Sequence, residues 1–425
     1  MKSTSGLVKS LISVGGLKLI SLPLTMLVSI ALARVMTPED YGNYLFVVAI
    51  STLLSLPFGA GLGQFITREI AALNRSQDWE GFKGFFVLLK KWCYGGGFLI
   101  AVATLFLSCF LASWEVSDRW TLMTVAVLLV PISVFNAIRA SVLRGLKFVF
   151  YSQVCDLFIR PFFQIIIVFI LWYFFKVDPL VAIIAYIISM AVASICGGVF
   201  LMKKMPVDVG NARPSYSSEG WVLRLLPFYI LVTIEHFNGQ LGSLVLGWLG
   251  SPEDIAMLQV AAAWAMIVIL PRSLFSVVLA PYISEAKGDK ERTKYLAKKS
   301  ARAIFLFSAP LALVLIVFSG QIIGFTHGQE YVAGASLPLL ILALGQLINL
   351  AFGSVGLFLV MSGNERDALI SQSLGLSMAF LLSVILAEGY GPSGVAFGIA
   401  LGRTAWTILM SYQFSRKLGF RSTII

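Results

Sequence analysis

Thr37-Pro38-Glu39-Asp40 and Ser251-Pro252-Glu253-Asp254 are two copies of one short phrase, 214 residues apart. Leu56-Pro57 returns as Leu270-Pro271 at the same offset. Half of the 425-residue chain is about 212 residues, so two matches near that offset read as a duplicated unit. A weaker echo relates Gly145 through Gln153 to Gly363 through Gln372, with one inserted residue. In each four-residue phrase the hydroxyl residue is a good N-cap, proline fits the first helical position, and the acids suit the positive end of the helix dipole. Glu39, Asp40, Glu253 and Asp254 are therefore read as helix-start residues rather than as the carboxylates of a metal-dependent sugar transferase.

The sequence on either side of these phrases is apolar in blocks of about 20 residues, the length that crosses a hydrocarbon core roughly 30 Å thick. Hydrophobic residues make up 58% of the chain and charged ones 12%, and the mean hydropathy is +0.88. A soluble chain of this length needs more charge to cover its surface. The blocks lack a period of two, which excludes a barrel and leaves helices to satisfy the backbone inside lipid. The spans read as 11–33, 42–66, 92–113, 121–138, 158–175, 180–202, 225–249, 256–279, 303–319, 335–361, 370–388 and 395–414. The expected fold is all-α: a polytopic membrane protein of about twelve transmembrane helices in two six-helix bundles. Because six is even, both copies start on the same side and the repeat is parallel. The expected division is an N-terminal lobe over 1–202, a polar, turn-rich linker over 203–222 containing Pro206, Gly210 and Pro214, and a C-terminal lobe over 223–425.

The net charge is +11, and the placement of the charges carries more information than their sum. With the N-terminus in the cytoplasm, the inner segments hold 26 of the 32 Lys and Arg, and the outer ones only Arg34, Arg119 and Lys176. This positive-inside asymmetry puts both termini in the cytoplasm. It makes the basic loops, Arg139, Arg144 and Arg160 among them, topology signals and contacts for anionic lipid, not a nucleic-acid surface. Cys93, Cys109, Cys155 and Cys196 follow no metal spacing and read as packing cysteines without a disulfide. Ala31-Leu32-Ala33 imitates a signal-peptidase site, but the apolar run before it is too long for a signal peptide and has a counterpart in the second half, so it reads as an uncleaved helix. Gly59-Ala60-Gly61-Leu62-Gly63 follows no strand. It marks a flexible or tightly packed helix segment, and no phosphate-binding loop for ATP is present.

Three Lys or Arg and one acid fall well inside spans, where an ionised side chain is a functional candidate by default. Lys18 and Arg272 lie about seven residues, roughly 10 Å, from the inner ends of their helices. Arg403 is near the middle of span twelve. Span seven is the most polar, with Glu235, His236, Asn238 and Gln240; Glu235, Asn238 and Gly242 share one face, and His236, Gln240 and Ser243 an adjacent one. Two readings stand for the cations. They line a wet cavity for an anionic head group, with Lys18, Arg272, Arg403, Asn238 and Gln240 binding cargo and Glu235 with His236 coupling transport to an ion gradient. Alternatively, Lys18 snorkels to the surface, and Glu235 pairs with Lys18, Arg272 or Arg403 to hold the lobes together. No catalytic residue, metal site or cofactor is expected.

Ala31-Leu32-Ala33-Arg34-Val35-Met36-Thr37-Pro38-Glu39-Asp40-Tyr41-Gly42-Asn43-Tyr44 resembles the first loop of the polysaccharide-biosynthesis (Wzx-type) flippases of lipid-linked oligosaccharides. So does Gly61-Leu62-Gly63-Gln64-Phe65-Ile66-Thr67-Arg68-Glu69-Ile70 at the end of span two. Leu143-Arg144-Gly145-Leu146-Lys147 and Met361-Ser362-Gly363-Asn364-Glu365-Arg366 resemble the loops after spans four and ten. The resemblance implies the multidrug/oligosaccharidyl-lipid/polysaccharide exporter superfamily, with two lobes about a central cavity in the bacterial cytoplasmic (inner) membrane. The implied cargo is undecaprenyl-diphosphate-linked oligosaccharide, as in O-antigen and lipopolysaccharide assembly. The implied partners are membrane lipids, glycan polymerase and chain-length machinery. A diphosphate would suit Lys18, Arg272 and Arg403. Three other readings compete. A multidrug or toxin extruder of the same superfamily would prefer acids in its cavity. A membrane-embedded glycan polymerase or ligase needs a sizeable outer loop, whereas the longest here, near 320–334, is short and offers only His327 and Glu330. A non-transporting scaffold would be indifferent to the intramembrane charges.

Overall fold

A computed structural model of the protein describes residues 2–57, 59, 62–112, 119–215, 221–285, 289–361 and 364–419. Ala60 and Gly61 of the glycine stretch, Lys287, Ser362-Gly363 and Arg421 lie outside the described residues, as do the side chains of Lys2, Lys9, Cys93, Cys109 and Arg224. The described chain is helical throughout. The first half comprises α1 (Lys2–Val35), α2 (Pro38–Ser55), α3 (Gly63–Ser76), α4 (Trp79–Ala112), α5 (Arg119–Ala126), α6 (Leu129–Gly145), α7 (Val149–Val154), a π-helical turn (Cys155–Ile159), α8 (Arg160–Phe174), α9 (Pro179–Lys204) and the short α10 (Val207–Asn211). The second comprises α11 (Trp221–Leu249), α12 (Pro252–Glu285), α13 (Lys290–Val317), α14 (Ser319–Thr326), α15 (Val332–Ala351), α16 (Val355–Met361) and α17 (Glu365–Leu418). Inside α17, Gly391 takes φ 51° and ψ −131°, so the helix turns back there and makes two arms, with Pro392 starting the second. Eight stretches of the described helices are long and apolar enough to cross a membrane. The protein is a multi-pass, all-α membrane protein.

The repeated phrases fold as capping suggests. Asp40 N–H donates to Thr37 Oγ1 at 3.2 Å, and the Thr37 hydroxyl donates back to Asp40 Oδ2 at 2.9 Å. Asp254 N–H donates to Ser251 Oγ at 3.2 Å, and Ser251 N–H donates to Asp254 Oδ2 at 2.9 Å, a reciprocal capping box. The four acids thus begin α2 and α12. The copies differ further in. At Leu56-Pro57 the chain leaves the helix between α2 and α3, whereas α12 runs unbroken through Leu270-Pro271. There Ser273 and Ser276 turn their hydroxyls onto the carbonyls of Leu270 and Arg272, at 2.8 and 2.7 Å.

The chain divides into two compact units. One is Met1–Met36 with Phe46–Phe237, the other Thr37–Leu45 with Asn238–Ile425. In the first, α6 packs against α3, α4 and α9, while α8 lies against α9 and α1. Its apolar core joins Phe65, Ile66 and Ile70 to Phe82, Phe85, Val134, Val142 and Leu143. In the second, α15 packs against α12, α13 and α17. Helix contacts in lipid gain little from hydrophobicity, so close approach of small residues does the holding. A Cβ at Gly345 would lie 2.7 Å from the Ala400 Cβ, and one at Gly375 2.5 Å from the Trp406 Cβ. A Cβ at Gly402 would overlap Ala379, and one at Gly398 would lie 2.6 Å from Ser383 N. The arms of α17 are therefore zipped along Gly375–Trp406, Ala379–Gly402 and Ser383–Gly398. The outer 320–334 segment is also structured: α14 is followed by a tight turn over Gln329–Tyr331, and His327 is buried.

Candidate functional site: an arginine pair in the second unit

Arg403 stands on the second arm of α17, one residue from the Gly402 contact that fixes this arm against the first. Its Nε and Nη2 both donate to the side-chain oxygen of Asn238, at 3.2 and 3.1 Å. Asn238 is buried on α11, and α11 is tied to α12 by Gln259 Nε2 donating to Ser243 Oγ at 2.7 Å. Arg272, half-buried on α12, is the charge whose field acts on Arg403. Among the described residues neither guanidinium has a carboxylate within ion-pair distance. Arg403 thus keeps its charge against a neutral amide, and two like charges stand in apolar helices with no ion-paired anion among the described residues. Each arginine in such a position costs roughly 2.5–3.5 kcal/mol. Two together cost a large share of the about 5–15 kcal/mol by which proteins are stable, so the pair is expensive for a purely structural feature.

The other polar residues of α11 are not gathered in this way. Gln240 is half-buried and, among the described residues, makes no side-chain hydrogen bond. Glu235 is exposed and His236 half-buried. Sequence periodicity put Glu235 and Asn238 on one face, but one is exposed and the other buried. Glu235 has no ion pair among the described residues, so it is not locked to an arginine there. Lys18 is half-buried on α1, in the first unit.

The sequence reading missed a buried charge cluster in the first unit. Arg139 was counted as a topology signal beyond the end of span four. Instead α6 continues to Gly145, and the Arg139 side chain is 0% exposed. Its Nη2 donates to both carboxylate oxygens of Asp156, at 3.3 and 3.1 Å. The π-helical turn carries Asp156, and Gly197 on α9 leaves the space Arg139 fills, since any Cβ there would overlap the guanidinium. Asn136 Nδ2 donates to Ser194 Oγ at 2.8 Å and Arg160 Nη1 to Tyr186 O–H at 2.8 Å, tying the same helices together. The available signal was the i, i+3 pair Asn136/Arg139, which puts an amide and a cation on one helix face.

Known proteins resemble the chain in sequence and in fold. The model of a family described as polysaccharide biosynthesis protein matches residues 7–287. The chain belongs to the polysaccharide biosynthesis protein family. The model of the MatE family matches residues 227–385. A curated relative, the probable low-salt glycan biosynthesis flippase Agl15 of Haloferax volcanii, is 20% identical over 212 residues, 49% of this chain and 45% of the relative; the match spans less than half the length of that flippase. Solved structures share the fold of this family member. An inward-facing multidrug resistance MATE family transporter of the MOP superfamily superposes with a TM-score of 0.77 at 19% identity, over 95% of this chain and 98% of that one. The lipid II flippase MurJ, in an inward closed conformation, gives 0.73 at 15% identity, over 93% and 86%. A MOP superfamily transporter from Pyrococcus furiosus, described as having a binding pocket of reverse polarity, gives 0.67 at 16% identity, over 97% and 96%. The polysaccharide biosynthesis family and the MOP-superfamily fold were both expected from the four sequence stretches quoted above.

Proposed function

We infer that this protein is a flippase that moves undecaprenyl-diphosphate-linked oligosaccharide across the cytoplasmic membrane by alternating access, coupled to an ion gradient. One observation carries the reading: Arg272 and Arg403 stand in apolar helices, Arg403 held by a neutral amide, and neither has an ion-paired carboxylate among the described residues. Guanidinium forks match phosphate oxygens in geometry and charge. A diphosphate entering this site would supply the missing anion, and leaving it would restore the unpaired state, so binding stays reversible. Asn238 holds Arg403 in place through a neutral acceptor, which orients the cation without cancelling its charge. Gln240 and Lys18 complete the proposed cargo contacts. Glu235, exposed and without an ion pair among the described residues, and its neighbour His236 are the proposed coupling groups. The proposed moving bodies are the two repeat lobes, 1–202 and 223–425. Family membership and the Haloferax relative's description support a glycan cargo.

A cationic-drug extruder is the second reading, favoured by the MatE match over 227–385. Two guanidiniums with no ion-paired acid among the described residues would repel such a drug. The experiment is reconstitution of the purified protein in vesicles, with movement between leaflets of a fluorescent polyprenyl-diphosphate oligosaccharide and of a cationic dye measured in parallel. Diphosphate movement that falls at least tenfold in Arg272→Ala or Arg403→Ala, with normal insertion, supports the reading. Dye movement with no diphosphate movement refutes it, and so does diphosphate movement that survives both substitutions. Formation of a glycosidic bond by the purified protein would instead establish a polymerase or ligase.

A further inference from the structure

The cluster around Arg139 is not a balanced ion pair. The charges acting on Asp156 are Arg139, Arg160 and Arg144; Arg160 is engaged with Tyr186, and among the described residues Asp156 is the one ion-paired carboxylate beside Arg139 and Arg144. The contact with Arg139 is one-headed, because both carboxylate oxygens take their hydrogen bonds from the single nitrogen Nη2. Nε and Nη1 of Arg139, fully buried, meet no oxygen or nitrogen acceptor among the described residues, and the neighbouring Cys155 thiol is only a weak acceptor. Buried N–H groups of a charged side chain seldom stay unmet, since each costs about 1–3 kcal/mol or more. Arg144, half-buried, donates through Nη2 to Ser141 Oγ at 2.8 Å, a neutral partner. The charges that act on it are Asp156 and Arg139. The same edge of Arg144 reaches the start of α3, where a Cβ on Gly63 would lie 3.4 Å from Nη2. The Asp156 side chain is 38% exposed, so the cluster opens to the surroundings on the side of the acid.

The depth of the cluster narrows what can fill it. Arg139 lies six residues before Gly145, the last residue of α6, or about 9 Å along the helix axis. On the topology expected from the Lys and Arg distribution, that is the inner half of the bilayer, on the side of the cytoplasmic-leaflet phosphates. An unbalanced set of guanidinium forks at that level suits a phosphate better than a point anion, because the planar fork offers paired donors to two oxygens.

We propose that Arg139 and Arg144 form a second phosphate-binding site, in the first unit and at the level of the inner leaflet, which Asp156 occupies as an internal competitor when no ligand is bound. The ligand is a phosphate-bearing lipid head group, either of an ordinary anionic phospholipid or of a polyprenyl diphosphate. An arriving phosphate takes over the open N–H groups of Arg139 and Arg144, and the Asp156 carboxylate swings outward. The π-helical turn under Asp156 suits such a displacement, since π-bulges loosen the helical hydrogen-bond ladder and recur at functional sites. This site is separate from Arg272 and Arg403, and its failure would leave the function proposed for that pair standing.

The test exploits a sign. A carboxylate that only braces the fold lowers stability when removed and changes no affinity. A carboxylate that competes with a ligand raises affinity when removed. Full-length protein with Arg272→Ala and Arg403→Ala, so that the second-unit pair is silent, is titrated with farnesyl diphosphate and separately with phosphatidylglycerol. Native mass spectrometry reads the bound fraction. Asp156→Asn is expected to tighten binding about tenfold, and Arg144→Gln to weaken it about tenfold, as expected for gain or loss of one charge a few ångströms away. Tighter binding of farnesyl diphosphate alone assigns the site to cargo, and of phosphatidylglycerol alone to bulk lipid. Arg144→Gln is half-buried and stands in should Asp156→Asn or Arg139→Gln fail to fold. Unchanged affinity for both probes in Arg144→Gln, or unchanged or weaker affinity in a folded Asp156→Asn, overturns the proposal and leaves the cluster as a brace.

Discussion

Asn238→Asp is the substitution that most sharply separates a cargo-binding Arg403 from a structural one. The wild-type amide accepts hydrogen bonds from Nε and Nη2 of Arg403 at 3.2 and 3.1 Å without neutralising the guanidinium. An aspartate of the same shape keeps both hydrogen bonds and adds a full negative charge about 3 Å away. The gross attraction is about 5 kcal/mol at an effective dielectric of 20. Desolvating the new carboxylate removes much of this, which leaves the about 1.5–3 kcal/mol typical of a hydrogen bond to a charged group. A diphosphate must now compete with that partner. Its affinity should fall roughly tenfold to a hundredfold, at about 1.4 kcal/mol per factor of ten. Thermal stability should hold or rise, since Arg403 gains a counter-ion. Asn238→Leu supplies the contrast. It leaves two N–H groups of Arg403 unmet and should lower stability by about 1.5–3 kcal/mol, while the positive charge remains for cargo. The assay is leaflet exchange of a fluorescent polyprenyl-diphosphate oligosaccharide in vesicles, paired with thermal unfolding in detergent. If Asn238→Asp moves cargo at the wild-type rate and protein level, Arg403 does not bind the diphosphate, and the reasoning fails at its central step.

Thr37→Ala and Ser251→Ala should each lower stability by about 1 kcal/mol through loss of an N-cap, measured by thermal unfolding; no change in either would reject the capping reading of the repeated phrases. Gly402→Val should be strongly disruptive, because the new side chain would overlap Ala379 and force the arms of α17 apart; overpacking of this kind costs about 1–3 kcal/mol or more, and normal expression and activity would contradict the zipper. Gly197→Ala should push Arg139 off its seat and cost a similar amount, seen as a lower unfolding midpoint. Glu235→Gln should abolish the dependence of transport on an imposed proton or sodium gradient; retained dependence would remove Glu235 from coupling.

The spans were legible because lipid imposes one strong rule, an apolar run of fixed length, and the duplicated caps at Thr37 and Ser251 gave the register of the halves. The interruption at Leu56-Pro57 was only half legible. The same dipeptide breaks the helix before α3 and is carried inside α12 at Leu270-Pro271, where serines at 273 and 276 engage backbone carbonyls on either side of Pro271. Proline states that one hydrogen bond is lost, and the surroundings decide whether the helix stops. Arg272 and Arg403 could be found from sequence because each stands deep in an apolar run. Arg139 could not, since a cation near the inner end of a span looks the same whether it marks topology or fills a cavity left by Gly197. The partner that separates the two cases, Asp156, lies on a different helix, and its placement depends on a π-helical turn that has no periodic signature.

The two halves share their caps but not their charges. At the offset of 214 that relates the caps, Arg272 corresponds to Phe58. At the offset of 218 that relates Gly145 to Gly363, Arg139 corresponds to Leu357. Leu357 packs beside the apolar core of Phe358, Leu359 and Phe414, where a guanidinium would have no acceptor. A duplicated bundle begins with matching surfaces, and symmetric cations would give one cargo head group two equivalent resting places. With the cations on different helices of each half, and with Asp156 beside the first unit's set while among the described residues a neutral amide meets Arg403 in the second, the two proposed sites should differ in affinity. A phosphate should therefore bind more weakly where a carboxylate competes than where only an amide stands. Asp156→Asn together with Asn238→Asp exchanges the acid and the amide between the two sites, so the order of their affinities for farnesyl diphosphate should reverse, read by native mass spectrometry with one site silenced at a time by Arg144→Gln or Arg403→Ala. An unchanged order would show that the acid and the amide do not set the difference.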